Sequence, residues 1–213
     1  MHIPDGFLSR EVCVVTSVIS LATIGHCLHK TRGSIDRDSL LLMAAIGAFI
    51  FAAQMLNFPV DHGTSGHFLG SIFAAILLGP HLAILLVSLV LGIQMILFGD
   101  GGLMALGANI FNIGIISTLS GYFIYRLIAD MVEANFGILV GTFTGSGAGI
   151  IGAAIACSLL LSLSNILPLP TLLLPMISVH VKIGVAEGLI SLATLAIILK
   201  IKPDFFQATM GER

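Results

Sequence analysis

The sequence predicts an all-α polytopic membrane protein, and three observations carry that prediction. The first is composition: 57% of the 213 residues are hydrophobic and 9% are charged, with a mean hydropathy of +1.09, whereas a soluble domain devotes about a quarter of its residues to charge. The second is run length, since several apolar stretches approach the roughly 20 residues that cross a hydrocarbon core as a helix. The third is punctuation, because charges and Gly, Pro or Asn clusters fall between the apolar runs.

Taken in order, these runs predict about seven transmembrane helices in a single integral membrane domain covering residues 1–213. The first lies near Phe7 to Cys27 and the second from Leu40 to Phe58. A shorter third, flanked by glycine, runs from about Gly66 to Leu78, and Pro80-His81 starts a fourth that ends at Phe98. The glycine-rich loop Gly99 to Gly107 leads into a fifth reaching about Ala129. The sixth covers Phe136 to Leu163, and the Asn165 to Pro170 turn opens a seventh ending near Lys200.

Basic residues set the orientation, since cytoplasmic loops carry the excess of Lys and Arg. Lys30, Arg32 and Arg37 follow the first run, Arg126 follows the fifth, and Lys200, Lys202 and Arg213 follow the seventh. An odd number of crossings puts all of them on one side, so the amino terminus is expected outside and the carboxyl terminus in the cytoplasm of a bacterial inner membrane. The first run lacks the basic n-region of a signal peptide, and the terminus is expected to survive in the mature protein. His2 is also too large for methionine removal. A net charge of -2 offers no basic face for nucleic acid. Cys13, Cys27 and Cys157 lie inside apolar runs without CxxC spacing and read as small buried hydrophobes.

A terminal amine, the backbone nitrogen of residue 2 and the imidazole of His2 can hold one metal through two fused rings. Displacing an amide proton needs an ion that bonds strongly to nitrogen in a plane. Square-planar nitrogen sites favour Ni(II) or Cu(II), admit Co(II) and disfavour tetrahedral Zn(II). The fourth donor has two candidates in Pro59-Val60-Asp61-His62-Gly63-Thr64-Ser65-Gly66-His67, namely His62 and His67. His67 begins a short span beside a Gly-Thr-Ser-Gly turn, where ionisable groups tend to face a cavity.

Three blocks carry a resemblance: Met1-His2-Ile3-Pro4-Asp5-Gly6-Phe7-Leu8-Ser9, Gly63-Thr64-Ser65-Gly66-His67 and Leu106-Gly107-Ala108-Asn109. Together they resemble the nickel/cobalt substrate-binding components of energy-coupling-factor transporters, the NikM/CbiM family, over nearly the whole length. The resemblance implies a metal-chelating segment 1–9 threaded into the helix bundle, with Met1, His2 and His67 as ligands. The ion is cargo rather than cofactor: Ni(II), or Co(II) as taken up for cobalamin synthesis, with the Pro4-Asp5 opening closer to the nickel-type members. The implied partners are a transmembrane coupling subunit, separate ATPase subunits and a small accessory membrane subunit. The ATPases are expected to drive release, by reorienting the subunit or loosening its N-terminal loop.

Around the ligands, Asp5, Thr64, Ser65 and Asn109 are expected to fix the imidazoles and tether the N-terminal segment, although Asp5 can equally cap the first helix and Asn109 the fifth. Ala44, Ala48 and Ala52 form a small-xxx-small stripe that fits either internal packing or docking onto the coupling subunit. No GxxxxGK[ST] sequence is present, so the chain has no P-loop. His180 and Glu187 share a face of the last span and are expected in an internal hydrogen-bonded network, while Lys182 points elsewhere.

Two other classes compete. An intramembrane serine protease would pair Ser146 with His180, but no oxyanion donors are marked, and Gly141, Gly145 and Gly149 read as a close-packing stripe. An ion channel acting without partners would need neither ATP nor co-expressed subunits.

Overall fold

The computed structural model describes residues 1–33, 35–60, 64–132 and 134–201, with the side chains of Thr64 and Ala134 excepted. His62, Gly63, Lys202 and Arg213 lie outside the described residues. Six helices are long and apolar enough to cross a membrane: α1 (Arg10–Lys30), α2 (Arg37–Gln54), α4 (Pro80–Phe98), the continuous helix Leu106–Met131, α7 (Ala134–Leu163) and α8 (Leu169–Ile201). Within Leu106–Met131, α5 (Leu106–Asn109) passes through a π-helical turn, Ile110–Ile116, into α6 (Ser117–Met131). The chain is a multi-pass membrane protein.

The third apolar run is not a full-length helix. Its first part is a strand, β2 (Thr64–His67), paired antiparallel with β1 (Asn57–Val60), with Asn57 opposite His67 and Val60 opposite Thr64. Its second part is the eight-residue α3 (Ser71–Leu78), buried from Ser71 to Leu77. Eight helical residues rise only about 12 Å, and the extended residues before them supply the remaining reach. Such a break is tolerated at membrane depth only where protein satisfies the freed backbone groups.

Glu187 of α8 supplies that satisfaction. Its carboxylate accepts from Leu69 N–H at 2.6 Å and from Gly70 N–H at 3.2 Å, at the amino end of α3. Gly70 turns the chain with φ of +68°, and a Cβ there would meet Ile50 at 2.6 Å, so glycine is required. Beside the break, β2 lies against α8 so closely that a Cβ on Gly66 would come within 2.6 Å of Ile183 Cδ1 and 3.0 Å of His180 Nε2.

Packing elsewhere follows small residues. The stripe Gly141, Gly145 and Gly149 seats α7 on α6, where added Cβ atoms would each reach a carbonyl oxygen of Tyr125, Gly121 or Ser117 at 2.8 Å. Gly184 and Gly188 seat α8 on Gly147 and Phe143 of α7. These antiparallel pairings bring Lys200 toward the same end of the bundle as Arg126. The His26 and His81 rings, 5.8 Å apart, bring the start of α4 beside the end of α1. Most of the basic residues thus gather at the end remote from Met1.

Replacing Glu187 with alanine leaves two N–H groups unpaired inside the bundle and is expected to cost about 1–3 kcal/mol. Thermal unfolding of the purified protein in detergent checks this: the midpoint falls clearly for Glu187→Ala and less for Glu187→Gln, whose amide oxygen still accepts.

Candidate metal-binding site

The amino-terminal segment enters the bundle instead of lying on it. Met1 and Ile3 are 2% and 3% exposed, so an extended stretch of backbone is inserted, and each of its polar groups needs a partner. Asn109 supplies two: its Oδ1 accepts from Ile3 N–H at 2.8 Å and its Nδ2 donates to Ile3 O at 3.1 Å. Gly102 N–H donates to the same carbonyl at 3.0 Å. The Met1 amine donates to the Ser65 carbonyl at 2.7 Å, which joins the terminus to β2.

Asp5 closes the far side of this clamp. Its carboxylate accepts from Leu103, Met104 and Ala105 N–H at 3.0, 2.8 and 3.2 Å, at the approach to α5. Gly102 is crossed so tightly that a Cβ would overlap Asp5. The alternative of Asp5 as cap of the first helix is overturned, because Ser9 caps α1 by accepting from Val12 N–H at 3.3 Å. Asn109 likewise acts on the inserted segment and makes no side-chain cap bond to its own helix. Of the other two expected tethers, Ser65 acts through its carbonyl, and Thr64 is described only in its backbone pairing with Val60.

The clamp brings His2 beside His67. Their ring centroids are 4.5 Å apart with planes tilted by 46°, and His67 is fully buried. His67 Nδ1 lies 2.6 Å from the Phe68 carbonyl. A carbonyl only accepts, so Nδ1 carries the proton and Nε2 keeps its lone pair. That Nε2 is buried without a hydrogen-bond partner, as is Nε2 of His2. Met1, His2 and Ser65 line a cavity of about 280 Å³ together with Asp100, Cys157 and Met176.

Burial sets the protonation of these nitrogen atoms. Burial pushes the Met1 amine down from 8.0 to about 5, against the weaker pull of Cys157 and Asp100. Burial also lowers His2, opposed by its contact with Asp100. The amine and imidazole are therefore unprotonated at neutral pH, the form that binds a metal. Asp100 Oδ2 lies 2.7 Å from His2 Nδ1, and this contact holds the carboxyl below its ordinary value. Sequence reasoning missed Asp100. The signal was present as the lone carboxylate of the glycine-rich Gly99–Gly107 loop.

The remaining sequence candidates separate. Ser146 Oγ and His180 Nε2 are both buried without hydrogen-bond partners, so the Ser–His dyad is not formed. His180 Nδ1 lies 2.6 Å from Met176 O. All three cysteines are free and buried as expected, although Cys157 also lines the cavity. Ala44, Ala48 and Ala52 are exposed along α2, and the first two border an apolar groove shared with Leu86 and Ile93 of α4.

Comparison with known proteins matches residues 2–205 to the family described as the cobalt uptake substrate-specific transmembrane region, CbiM. The chain belongs to the CbiM family. A protein of Haloquadratum walsbyi named for metal transport is 36% identical over 96% of this chain and 92% of its own length. The fused nickel transport protein NikMN of Rhodobacter capsulatus is 39% identical over 60% of this chain and 37% of its own length. A crystal structure of a transition metal transporter superposes with a TM-score of 0.90 at 30% identity, covering all of both chains. This CbiM-family chain is a membrane component of transition-metal, nickel or cobalt, transport.

Removing the Asn109 amide breaks both its bonds to Ile3. Asn109→Ala is expected to raise the rate at which the Met1 amine is acylated by a water-soluble reagent by about tenfold, the equivalent of about 1.4 kcal/mol. Mass spectrometry of the N-terminal peptide reads that rate; an unchanged rate means the clamp does not depend on Asn109.

Proposed function

We propose that this chain is the substrate-binding component of an energy-coupling-factor transporter and holds Ni(II) in a plane of four nitrogens. The donors are the Met1 amine, the His2 backbone nitrogen, His2 Nδ1 and His67 Nε2. The observation that carries this reading is the meeting of a buried neutral amine with the buried His2 imidazole and the His67 ring, whose Nε2 lacks a partner. The reading takes Met1 as the terminus of the mature protein. It also puts the site end of the bundle outside and the basic end in the cytoplasm.

Geometry assigns each nitrogen. From the residue 2 amide, only Nδ1 of the same imidazole closes a six-membered ring; Nε2 is out of reach. Nδ1 now rests against Asp100, so the ring must turn about Cβ–Cγ, a half-turn carrying Nδ1 to the place of Cδ2 and Nε2 to that of Cε1. Nδ1 then faces the metal, and Asp100 is the carboxylate at hand to accept from Nε2–H. A carboxylate behind a ligating histidine fixes tautomer and orientation.

Co(II) fits the same donors less well, and Zn(II) loses its tetrahedral geometry. The exposed alanine stripe on α2 is read as the docking face for the coupling subunit, and ATP is hydrolysed by separate subunits. Release follows reorientation of the subunit or loosening of the N-terminal clamp, driven by those ATPases.

The metal test uses the purified chain and nickel alone. A yellow, diamagnetic complex is expected, with a ligand-field band that disappears in His67→Ala and when one residue is added before Met1. Asp100→Asn is expected to keep the spectrum and weaken affinity by about 10–100-fold. Retained affinity in the first two variants would sink the four-nitrogen site.

The pH dependence has a definite sign. Coordination displaces the amide proton, so affinity rises with pH. Because burial holds the amine near 5, this nitrogen has no proton to lose above pH 6. Between pH 6.5 and 7.5 the affinity is expected to rise about tenfold per unit, for one proton released. A short Met-His peptide, with its amine titrating near 8, is expected to approach about a hundredfold per unit. Competition against a chelator of known affinity distinguishes the two slopes.

Ala48→Leu fills the stripe without touching the metal site. Nickel binding by the isolated chain is expected to be unchanged, while recovery of the coupling subunit with the tagged chain falls. Normal recovery would return the stripe to internal packing or lipid contact.

A further inference from the structure

One charge in the membrane-spanning part of the molecule has no use in the site just described. Lys182 lies in α8, 13 residues after Leu169 and 19 before Ile201, which is about 20 Å and about 28 Å of helix from the two ends. It points away from the bundle. The buried face of α8 carries Met176, His180, Ile183 and Glu187, whereas Lys182 is exposed beside Ser178, Val181, Val185 and Leu189. The only carboxylate of α8, Glu187, is buried and committed to the backbone of Leu69 and Gly70. Among the described residues no salt bridge reaches Lys182.

An ammonium at this depth on a lipid-facing surface is costly, and such groups pair or mark a functional path. Here no path passes beneath it, because the cation site lies on the opposite side of α8. The flanking residues are apolar or small, with Val181, Val185 and Leu189 about half exposed. They form a strip that another helix can cover, with the lysine at its centre.

We propose that Lys182 is the docking point for a transmembrane helix of a partner subunit that carries an Asp or Glu side chain at the same depth. The partner helix covers Ser178, Val181, Val185 and Leu189, and its carboxylate supplies the counter-charge that the chain lacks on this face. This surface is distinct from the alanine stripe on α2. It gives the assembly a second, charge-selected contact, which rejects helices without an acidic group. The inference rests on the reading of the chain as one subunit of a larger transporter, but not on the geometry of the metal site.

The test is purification of the tagged chain from cells co-expressing its membrane partners, with nickel binding by the isolated chain measured in parallel. Lys182→Leu and Lys182→Glu are expected to lower recovery of one membrane subunit by about tenfold or more, while Lys182→Arg retains it. Changing the partner's acidic residue to lysine is expected to restore assembly with Lys182→Glu. Nickel affinity stays unchanged in Lys182→Leu, which separates this proposal from the metal reading. If Lys182→Glu fails to fold, Lys182→Leu decides alone. Full recovery of every subunit with Lys182→Leu overturns the proposal. So does an effect confined to the chain's stability in nanodiscs containing anionic phospholipid, which assigns the lysine to a lipid phosphate. Cysteine cross-linking at position 185 between two copies of the chain overturns it as well, in favour of self-association.

Discussion

Inserting the extended amino-terminal segment into an apolar bundle is the constraint from which the rest of this structure follows. A backbone without helical hydrogen bonds is tolerated at membrane depth only if other groups satisfy it, and here almost every neighbouring element contributes. Asn109 pairs with Ile3 from the start of the fourth long helix, Asp5 gathers the N–H groups at residues 103–105, and Ser65 receives the terminal amine. Even the loop before α5 needs glycine at position 102, where the chain is crossed by Asp5. The tether and the cavity are one construction.

That constraint explains why the third apolar run is broken into β2 and α3. A continuous helix would have committed the Ser65 carbonyl to its own hydrogen bonds and left the amine unpaired. An extended β2 frees that carbonyl and brings the His67 ring against His2. The break then has its own cost at the start of α3, and the buried carboxylate of Glu187 offsets it. A charge that reads from sequence as an expensive intramembrane residue proves to be the structural counterpart of the extended segment that meets the amino terminus. His180 sits two turns away on the same face, with Gly66 as the spacer that lets β2 approach.

Much of this was legible in the residues. Run length predicted the multi-pass fold, and the glycine stripe predicted a close helix contact, which the fold shows to be that of α7 with α6. The opening block and Asn109 predicted a tethered amino terminus. The third run misled because Gly66 to Leu78 is predominantly apolar, and hydropathy does not register whether apolar residues are helical or extended. Asp5 was ambiguous for a related reason: a carboxylate four residues before Ser9 suits a cap, and only the tertiary fold shows Ser9 taking that place. Asp100 was not found because its partner is 98 residues away in sequence, and nothing local announces the contact.

Charge balance ties Asp100 to ion selection in the proposed site. The empty cavity holds a neutral amine, neutral imidazoles and one carboxylate, so its net charge is about -1. A divalent ion that displaces the residue 2 amide proton adds two positive charges and creates one negative nitrogen, which together with Asp100 leaves the cluster neutral. An ion that leaves the amide protonated, as Zn(II) does more readily, stays one charge in excess inside a medium where charges are poorly screened. Geometry and electrostatics therefore discriminate in the same direction. The carboxylate that steadies the His2 ring also sets how much positive charge the bundle accepts.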